Sequence, residues 1–445
     1  MQKTPNFRVV IKLIIVILPS KTYYMSTILI LIIAFVLLEF AVSSVLSWLN
    51  SKWMTHPVPK VLEGLYDEEK YRKQQEYTRA NRRLGWIERC VTLAITLVVL
   101  LTGVLGWLDS LTAKWSHGLV IQLLIFFGIY AVVSAIISLP FSYYDTFVIE
   151  ERFGFNKTTR KTFWLDTLKS FLLMLVLGGV LLSVVYLLYS YIGTSFWLWA
   201  TLVCAVFIIF FSLFYSNLIV PLFNKQKPLE QGELRTAIEE AAGKMGFSIK
   251  DIYVMDGSKH STKANAYFTG FGMKKRVVLF DTLIEQLSTD EIVAVLTHEL
   301  GHYKHRDTIK NTIMSIIMVA VNLWVFSLLV DNPELSHALG GTRDHSFALS
   351  LIAFSLLFSP IDLVLDPIIN GISRRCEYRA DAFASRYGHG EALISGLKKL
   401  SANTLSNLTP HPAVVWMDYS HPTLAQRIEA IMGESADSQK NNNKP

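Results

Sequence analysis

Long apolar runs, separated by polar segments, dominate the pattern of this 445-residue chain. Each run approaches or exceeds the roughly 20 residues that an α-helix needs to cross a bilayer. They cover residues 26–48, 90–108, 118–139, 167–192, 195–220, 308–330 and 347–370. Since a helix satisfies its own backbone hydrogen bonds in lipid, the pattern predicts an α-helical polytopic membrane protein with about seven transmembrane helices.

The composition supports insertion into a membrane. Hydrophobic residues make up 51% of the chain and charged residues 18%, and the mean hydropathy is +0.36. Because an average soluble protein carries about 25% charged residues, this chain has too few polar residues to cover several soluble domains. Its three cysteines, Cys90, Cys204 and Cys376, are widely spaced, which excludes a disulfide framework and a Cys-x-x-Cys metal site.

The basic residues are distributed unequally between the polar segments. Nearly all of them lie in one set of segments, whereas the alternate loops hold only Lys114 and Arg343. The basic set comprises residues 52–89, 152–161, 224–307 and the tail from 371. The positive-inside rule places this set in the cytosol. The basic residues behind the net charge of +6 are therefore predicted to flank the spans and not to form a nucleic-acid-binding surface. The sequons at Asn156 and Asn407 are then cytosolic, and we expect neither to be glycosylated.

One polar segment contains a motif with the spacing of a metal site. Ser288 and Glu291 have the spacing of a capping box, which predicts the start of a helix. On that helix His298 and His302 are four residues apart, so both imidazoles project from one face and can bind one zinc ion. Glu299 lies about 100° around the helix axis. From there it can act as a general base without being a ligand.

A catalytic zinc needs a third protein ligand, and the best candidate lies in the second polar segment. Position 308, where an extended histidine motif would place the third histidine, is Thr308. Glu377 is a candidate ligand, and Asp381, one helical turn later, is placed to accept the free ring N–H of a ligand histidine. Cys376 points about 100° away from Glu377. The alternative is that this arginine-rich stretch is an ordinary charged helix surface.

These motifs together resemble the integral-membrane zinc proteases that process prenylated CAAX proteins. This is the family that matures the yeast a-factor pheromone and vertebrate prelamin A. The resemblance rests on His298-Glu-Leu-Gly-His302 followed by Glu377-x-x-x-Asp381, and it extends from about residue 26 to about residue 431. Further matching motifs lie at residues 147–156, 221–225, 256–270, 277–281 and 420–427.

The resemblance implies a fold, a site and an activity. The fold is about seven transmembrane helices enclosing a chamber, capped on the cytosolic face by an α+β zinc metalloprotease domain. One zinc ion would be bound by His298, His302 and Glu377, with Glu299 and Asp381 as catalytic residues. The expected reaction is removal of the C-terminal three residues from a farnesylated or otherwise prenylated CAAX protein. The expected setting is a monomer in the endoplasmic reticulum membrane, or also the inner nuclear membrane, with its active site facing the cytosol.

Residues outside the metal motif are candidates for substrate binding. β-forming residues around Gly270-Phe271-Gly272 predict a hairpin, and an exposed edge strand can hold an extended peptide by main-chain pairing. By the resemblance, Asn265, Ala266 and Tyr267 lie on that strand, although a structural hairpin is an equally good interpretation of each side chain. The resemblance also makes His421 a candidate donor to the oxyanion and Arg427 a partner for a substrate or internal carboxylate.

The predicted domain organisation follows from these segments. Residues 1–25 form an N-terminal extension that is signal-like or not translated, since Met25 directly precedes the first span and the start codon can be Met1 or Met25. The further predicted units are residues 26–223 with the first five spans, 224–307 and 371–431 as the two parts of the zinc protease domain, 308–370 with the last two spans, and 432–445 as a disordered tail.

The sequence also allows two functions other than that of a protease acting on prenylated proteins. A zinc protease for general membrane-protein quality control would share every residue named above. A multi-span transporter would explain the ionisable residues within spans, which are costly against lipid, but we find no internal repeat of the kind that transporters contain. These ionisable residues are Glu39, Lys169, Asp362 and Asp366. The sequence leaves open the physiological substrates, a second upstream cleavage and the preferred prenyl chain.

Overall fold

The computed structural model describes residues 26–442 except 117, 248, 250 and 270–275. The predicted N-terminal extension, residues 1–25, and the turn of the predicted hairpin, residues 270–272, lie outside the described residues. Helices make up most of the described chain and are accompanied by one small sheet. The helical membrane fold predicted from the apolar runs is therefore confirmed.

The helices that precede the sheet are α1 (Thr27–Trp53), α2 (Glu68–Thr102), α3 (Val104–Trp115), α4 (Leu119–Tyr144), α5 (Glu151–Phe153), α6 (Arg160–Ile192) and α7 (Phe196–Leu218). Short 3-10 helices lie at Lys60–Leu62, Gly193–Ser195 and Val220–Leu222. A π-helix at Asp145–Glu150 joins α4 to α5.

The elements that follow are β1 (Gln226–Pro228), α8 (Glu233–Lys244), β2 (Asp251–Met255), β3 (Ala266–Thr269), β4 (Arg276–Phe280), α9 (Asp281–Gln286), α10 (Thr289–Lys304), α11 (Asp307–Leu329), α12 (Pro333–Ala338), α13 (Phe347–Arg386), α14 (Gly390–Asn403), α15 (Pro412–Asp418) and α16 (Leu424–Asn442). A short 3-10 helix, Gly257–Lys259, follows β2. This order places α11 and the N-terminal part of α13 between the two parts of the predicted protease domain.

In the described part of the chain, 6 helical segments are long and apolar enough to cross a membrane. They are Thr27–Trp53, Glu68–Thr102, Leu119–Phe153, Arg160–Leu222, Asp307–Leu329 and Phe347–Arg386. The segment Arg160–Leu222 contains two helices, α6 and α7, which pack against each other and are joined by a turn at Gly193 with a φ of +68°. The predicted count of seven spans requires α6 and α7 to cross separately, and it stays a prediction.

The second predicted span, residues 90–108, is wrong at its C-terminal end. The helix α2 ends at Thr102, and Gly103 adopts the left-handed conformation with φ 65°. Glycine is the usual residue at such a helix end, because it has no Cβ to clash in this conformation. Residues 104–108 therefore begin the separate helix α3, although the apolar pattern continues across the break.

The sheet has the strand order β1-β2-β4-β3, so β3 lies at one edge. The central pair β2 and β4 is parallel, and each outer strand is antiparallel to its neighbour. The register of β3 on β4 runs from Ala266 opposite Leu279 to Thr269 opposite Arg276. The sheet packs against α8, α9 and α10 through a core that includes Ile238, Ile252, Leu279, Leu283 and Ile292.

The helix α13 extends well beyond the length that a span requires. Its 40 residues measure about 60 Å at 1.5 Å per residue, about twice the thickness of a hydrocarbon core. The N-terminal part of α13 packs in the core of the transmembrane helices, and its C-terminal part packs against α10. The helix therefore carries Glu377 and Asp381 out of the apolar region and into the protease domain.

The last helix corrects one further prediction. Residues 432–445 were expected to be a disordered tail, but α16 continues to Asn442. The prediction is thus wrong as far as Asn442. The buried residues Ala425, Ile428 and Ile431 lie in the first half of this helix and pack it against the protease domain.

Candidate metal centre

The helix that carries the histidine motif, α10, begins at a capping box. Ser288 Oγ accepts a hydrogen bond from the Glu291 backbone N–H at 3.4 Å, and the Glu291 carboxylate accepts one from the Ser288 N–H at 2.8 Å. This arrangement, predicted from the sequence, satisfies two N–H groups at the helix start. The apolar face of α10 is buried against the sheet and α8, which turns the face with His298 and His302 toward α13.

The carboxylate of Glu291 also ties α10 to α14. It lies 2.7 Å from Lys399 Nζ and accepts a hydrogen bond from Ser395 Oγ at 2.6 Å. Burial alone would raise the pKa of Glu291, but the hydrogen bonds from Lys399, Ser395 and Ser288 outweigh it and lower the pKa to about 2. Glu291 is therefore ionised at neutral pH and fixes the start of the histidine helix.

Close packing at Gly301 brings α10 and α13 together. A Cβ atom at this position would lie 3.0 Å from the Ala380 Cα and 3.2 Å from the Phe383 Cβ. Such distances are too short for an ordinary carbon contact, which is near 3.5–4.0 Å. The glycine between the two histidines thus permits the approach that places Glu377 opposite them.

The side chains of His298, His302 and Glu377 converge on one point. The two histidine Nε2 atoms are 3.2 Å apart, and the Glu377 carboxylate oxygens lie 3.5 Å from His298 Nε2 and 3.2 Å from His302 Nε2. His298 and Glu377 are buried, and His302 is partly exposed. This is the only group of three or more potential ligands found in the described residues.

The spacing of these atoms fits a tetrahedral metal ion. With bonds of 2.0–2.1 Å, two ligands of a tetrahedral zinc are separated by about 3.3 Å, close to the observed distances. Glu377 Oε2 is buried and forms no well-aligned hydrogen bond with a described residue, although His298 Nε2 lies 3.5 Å and Arg427 Nη1 3.7 Å from it. A buried carboxylate oxygen without a hydrogen-bond donor is costly unless a cation balances it. The donor set therefore fits a metal with three protein ligands.

The second ring nitrogen of His298 is held by Asp381. Asp381 Oδ1 lies 2.9 Å from His298 Nδ1, and the Arg427 guanidinium pairs with both oxygens of Asp381 at 2.6 and 2.9 Å. Burial lowers the pKa of His298, but the hydrogen bonds with Asp381 and Glu377 outweigh it and raise the pKa to about 9. Arg427 thus pairs with an internal carboxylate, one of the two alternatives that the sequence left open.

The corresponding nitrogen of His302 is held by a residue that the sequence did not indicate. Asp307 is buried, and its Oδ2 lies 3.1 Å from His302 Nδ1. Arg306 adopts a left-handed conformation with φ 59° between α10 and α11, and this reverses the chain so that Asp307 faces back toward α10. An acidic residue in the first turn of a helix is common, so Asp307 gave no separate signal in the sequence.

Other predicted residues lie around the triangle of ligands. His421 Nε2 is 3.4 Å from Glu377 Oε1, and 63% of its side chain is exposed. Glu299 is partly exposed. Burial lowers the pKa of His302, but the hydrogen bond with Glu377 raises it, and the charge of the nearby Glu299 adds a smaller increase. Cys376 is buried and accepts a hydrogen bond from an arginine side chain, so it does not belong to the ligand group.

The predicted substrate strand lies beside the histidine helix. Asn265 precedes β3, and its backbone oxygen accepts a hydrogen bond from the Phe280 N–H at 3.1 Å. Tyr267 Oη is 3.2 Å from both Ser216 Oγ and Gln226 Nε2, so this side chain is occupied by structural contacts. The other face of β3 contacts α10, where the Phe268 and Tyr303 rings are 5.5 Å apart. The outer edge of β3 is not paired with any described strand.

Comparisons with known proteins match nearly the whole chain. Residues 47–225 match a family model described as CAAX prenyl protease N-terminal, five membrane helices, and residues 228–435 match peptidase family M48. Probable CAAX prenyl protease 1 of Schizosaccharomyces pombe is 36% identical over 84% of this chain and 81% of its own. CAAX prenyl protease 1 of Saccharomyces cerevisiae is 32% identical over 90% of this chain and 94% of its own.

Relatives extend to animals and to a solved structure. The CAAX prenyl protease 1 homolog of Homo sapiens is 31% identical over 85% of this chain and 89% of its own. The crystal structure of S. mikatae Ste24p superposes with a TM-score of 0.87 at 32% identity and covers 91% of this chain and 99% of that one. The similarity thus includes both the transmembrane helices and the domain that carries the ligand triangle.

Proposed function

The chain belongs to peptidase family M48 and to its membrane CAAX proteases, and on this premise we propose that it is a zinc endopeptidase that removes the last three residues of prenylated CAAX proteins. The main support for the proposal is the convergence of His298, His302 and Glu377 on one point, with a carboxylate close to the Nδ1 atom of each histidine. Membership in a peptidase family makes the protein a multi-pass membrane metalloprotease and decides against the transporter.

Three residues would hold the metal and leave one position open. Two imidazoles and one carboxylate form a common donor set of catalytic zinc, which supports zinc over the harder cations that prefer oxygen ligands alone. When bound, zinc lowers the pKa of water and polarises the scissile carbonyl. Asp381 and Asp307 accept the Nδ1–H of His298 and His302, so that each Nε2 lone pair is directed into the site.

The remaining polar residues move and stabilise charge during hydrolysis. Glu299 is proposed to take the proton of the attacking water and to deliver it to the leaving amine. His421, beside the exposed side of the triangle, is proposed to donate a hydrogen bond to the oxyanion of the tetrahedral intermediate. Arg427 holds Asp381 by two hydrogen bonds and thereby positions His298.

We propose that the substrate binds as an extra strand on β3. The backbone of Asn265 faces β4, so the alternation of an extended strand directs the main-chain groups of Ala266 and Phe268 outward. These groups can pair with an extended peptide beside α10, while Tyr267 fixes the strand through Ser216 and Gln226. The membrane concentrates a prenylated peptide near the site, because each buried CH₂ of the prenyl chain contributes about 0.8 kcal/mol.

The proposed setting is the endoplasmic reticulum membrane, or also the inner nuclear membrane, with the protease domain in the cytosol. The alternation of basic and nearly charge-free loops supports this orientation. We further propose that α6 and α7 cross separately, giving seven spans that enclose a chamber, and that the protein acts as a monomer. Glycosylation of Asn156 or Asn407 would contradict the orientation.

The proposal is tested by release of the C-terminal tripeptide from a farnesylated CAAX peptide. We expect cleavage by purified protein with zinc, loss of cleavage after chelation, and recovery when zinc is added back. Glu299→Gln should retain zinc and lose at least about a hundredfold in kcat, because it removes the proposed general base. Bound zinc is measured by elemental analysis of the same samples.

The outcomes separate the alternatives. If the Glu299→Gln variant stays active, the assignment of the general base is wrong. If the wild-type protein binds zinc but cleaves only unprenylated membrane proteins, it is a general quality-control protease. A Glu285→Gln variant is a suitable control, because this exposed glutamate lies outside the metal centre and its loss should leave both zinc content and turnover unchanged.

A further inference from the structure

A cavity of about 630 Å³ lies between α2 and the segment from the end of α4 to α5, and it shares no residue with the metal centre. We call it the interfacial groove. Arg79, Arg83 and Arg152 line the groove on the side away from the apolar runs, and Ile87, Pro140 and Phe141 line it on the side toward them. Its volume is within the range of small-molecule sites, about 300–1,000 Å³. The cavity therefore has a cationic end and an apolar end.

The two walls of the groove follow directly from helical spacing. Arg79, Arg83 and Ile87 are separated by four residues each, so they lie on one face of α2. On the opposite wall, Tyr144 at the end of α4 and Val148 in the π-helix are also four residues apart, and both line the groove. Because α2 and α4 run in opposite directions, both walls become apolar toward the membrane and polar away from it.

The groove lies at the boundary between membrane and water. On α2 the charged residues end at Arg89 and the apolar run begins at Cys90, and on α4 the apolar run ends near Leu139. Trp86 and Tyr144 are exposed by 52% and 47% at this level. Tryptophan and tyrosine are enriched at membrane interfaces, so the arginines are placed at the depth of lipid headgroups.

The arginines have donors available for an anion. Arg152 pairs with Glu76 at 3.3 Å, but the two side chains are 65% and 44% exposed. Among the described residues, Arg79 donates one hydrogen bond, from Nε to the Gln75 backbone oxygen. No hydrogen bond or ion pair of Arg83 was found among the described residues. Three guanidinium groups against one carboxylate leave this end of the groove positively charged, and guanidinium binds phosphate through two parallel hydrogen bonds.

We propose that the interfacial groove binds an anionic phospholipid. The phosphate lies between Arg79 and Arg83, and the first part of an acyl chain lies along Ile87, Pro140 and Phe141. Basic pockets between transmembrane helices on the cytoplasmic side bind anionic headgroups, and that leaflet holds the anionic lipids. The groove therefore matches both the chemistry and the sidedness of the lipid, given the proposed orientation.

The test is titration of the purified full-length protein with dioleoylphosphatidylserine or dioleoylphosphatidylcholine, with bound lipid counted by native mass spectrometry. We expect one phosphatidylserine to bind preferentially. Each arginine near an anionic surface contributes about 1 kcal/mol, so the double variant Arg79→Gln/Arg83→Gln should lose about thirtyfold in affinity. The variant Arg79→Lys/Arg83→Lys keeps the charge and should lose less than about fivefold.

The control removes the same charge from the same helix outside the groove. Arg72 and Lys73 are exposed and do not line it, so Arg72→Gln/Lys73→Gln should bind phosphatidylserine as the wild type does. Equal losses in the two double variants would show that only the general charge of α2 matters and would overturn the proposal. Competition by millimolar inorganic phosphate as effective as that by the lipid would also overturn it, because the apolar end would then contribute nothing.

Discussion

Each ligand histidine is held by a carboxylate on its second ring nitrogen, and the two carboxylates differ in their surroundings. Asp381 is fixed through two hydrogen bonds by Arg427, whose side chain is 12% exposed. Asp307 is surrounded by Arg379 at 3.0 Å and Lys310 at 3.4 Å, both with exposed side chains. Because a carboxylate orients the imidazole and increases its basicity, we expect both residues to raise the affinity for the proposed metal without being ligands.

At the residue scale we predict that Asp307→Asn weakens zinc binding by about 10- to 100-fold. The amide keeps the shape of the side chain but loses the charge that favours the ligand form of His302. Affinity is measured by competition with a chromophoric chelator. Asp251→Asn is the control, since Asp251 is exposed on β2 and is separated in sequence by more than 40 residues from each proposed metal ligand. Equal affinity of the two variants would contradict the role of Asp307.

The two carboxylates also show which residues of the site can be predicted from the sequence. Asp381 follows Glu377 by one helical turn, so its place beside a ligand histidine could be predicted. The position of Asp307 depends on a left-handed residue, Arg306, and arginine gives no signal for that conformation, which favours glycine or asparagine. His298 and His302 could be paired from spacing alone, whereas the exposed position of His421 required the tertiary structure.

Between elements, the decisive contact is the packing of α10 on α13. The capping box fixes where α10 begins, and Gly301 fixes how closely it approaches Ala380. Since two ligands lie on α10 and the third on α13, the distance between these helices sets the size of the ligand triangle. A shift of the helix axes by a few tenths of an ångström changes each ligand distance by a comparable amount.

We predict that Gly301→Ala lowers the stability of the protease domain by about 1–3 kcal/mol, because the added methyl group overpacks the contact with Ala380. Turnover should fall by at least about tenfold, since small misplacements of catalytic groups are costly. Thermal unfolding and tripeptide release measure the two effects.

Gly243→Ala is the matched control for this substitution. Its Cβ would meet nothing within 4 Å in α8, so the higher helix propensity of alanine should leave turnover unchanged and stabilise the domain by up to about 1 kcal/mol. Full activity of Gly301→Ala would show that the helices tolerate a wider separation.

The element scale also separates what periodicity can predict from what it cannot. Apolar runs and the capping box located the spans and the start of α10, because both depend on neighbouring residues in the chain. The break at Gly103 was missed, since the residues on both sides of it are apolar. The pattern does not predict the helix at residues 432–442, because these residues are mostly polar and continue a helix whose buried part, with Ile428 and Ile431, lies before them.

In the whole molecule, the metal centre joins two segments that transmembrane helices separate in sequence. The helix α10 precedes the span α11, and Glu377 of α13 lies beyond the apolar part of the last span. No local pattern predicts that these segments meet. The resemblance to a known family supplied that prediction, and the geometry of His298, His302 and Glu377 now provides a physical basis for it.

This arrangement predicts that zinc stabilises the folded protease domain by linking α10 to α13. At a free zinc concentration of 100 times the dissociation constant, binding to the folded state alone contributes about 2.7 kcal/mol. Chelation should therefore lower the unfolding temperature by about 5–10 °C for a domain of this size. Glu377→Gln should abolish the difference between the zinc-loaded and chelated protein, because it removes the ligand from α13. Glu299→Gln should retain that difference, since Glu299 is proposed to be a base and not a ligand. If Glu299→Gln abolished the difference and Glu377→Gln retained it, Glu299 would be the ligand and Glu377 the base.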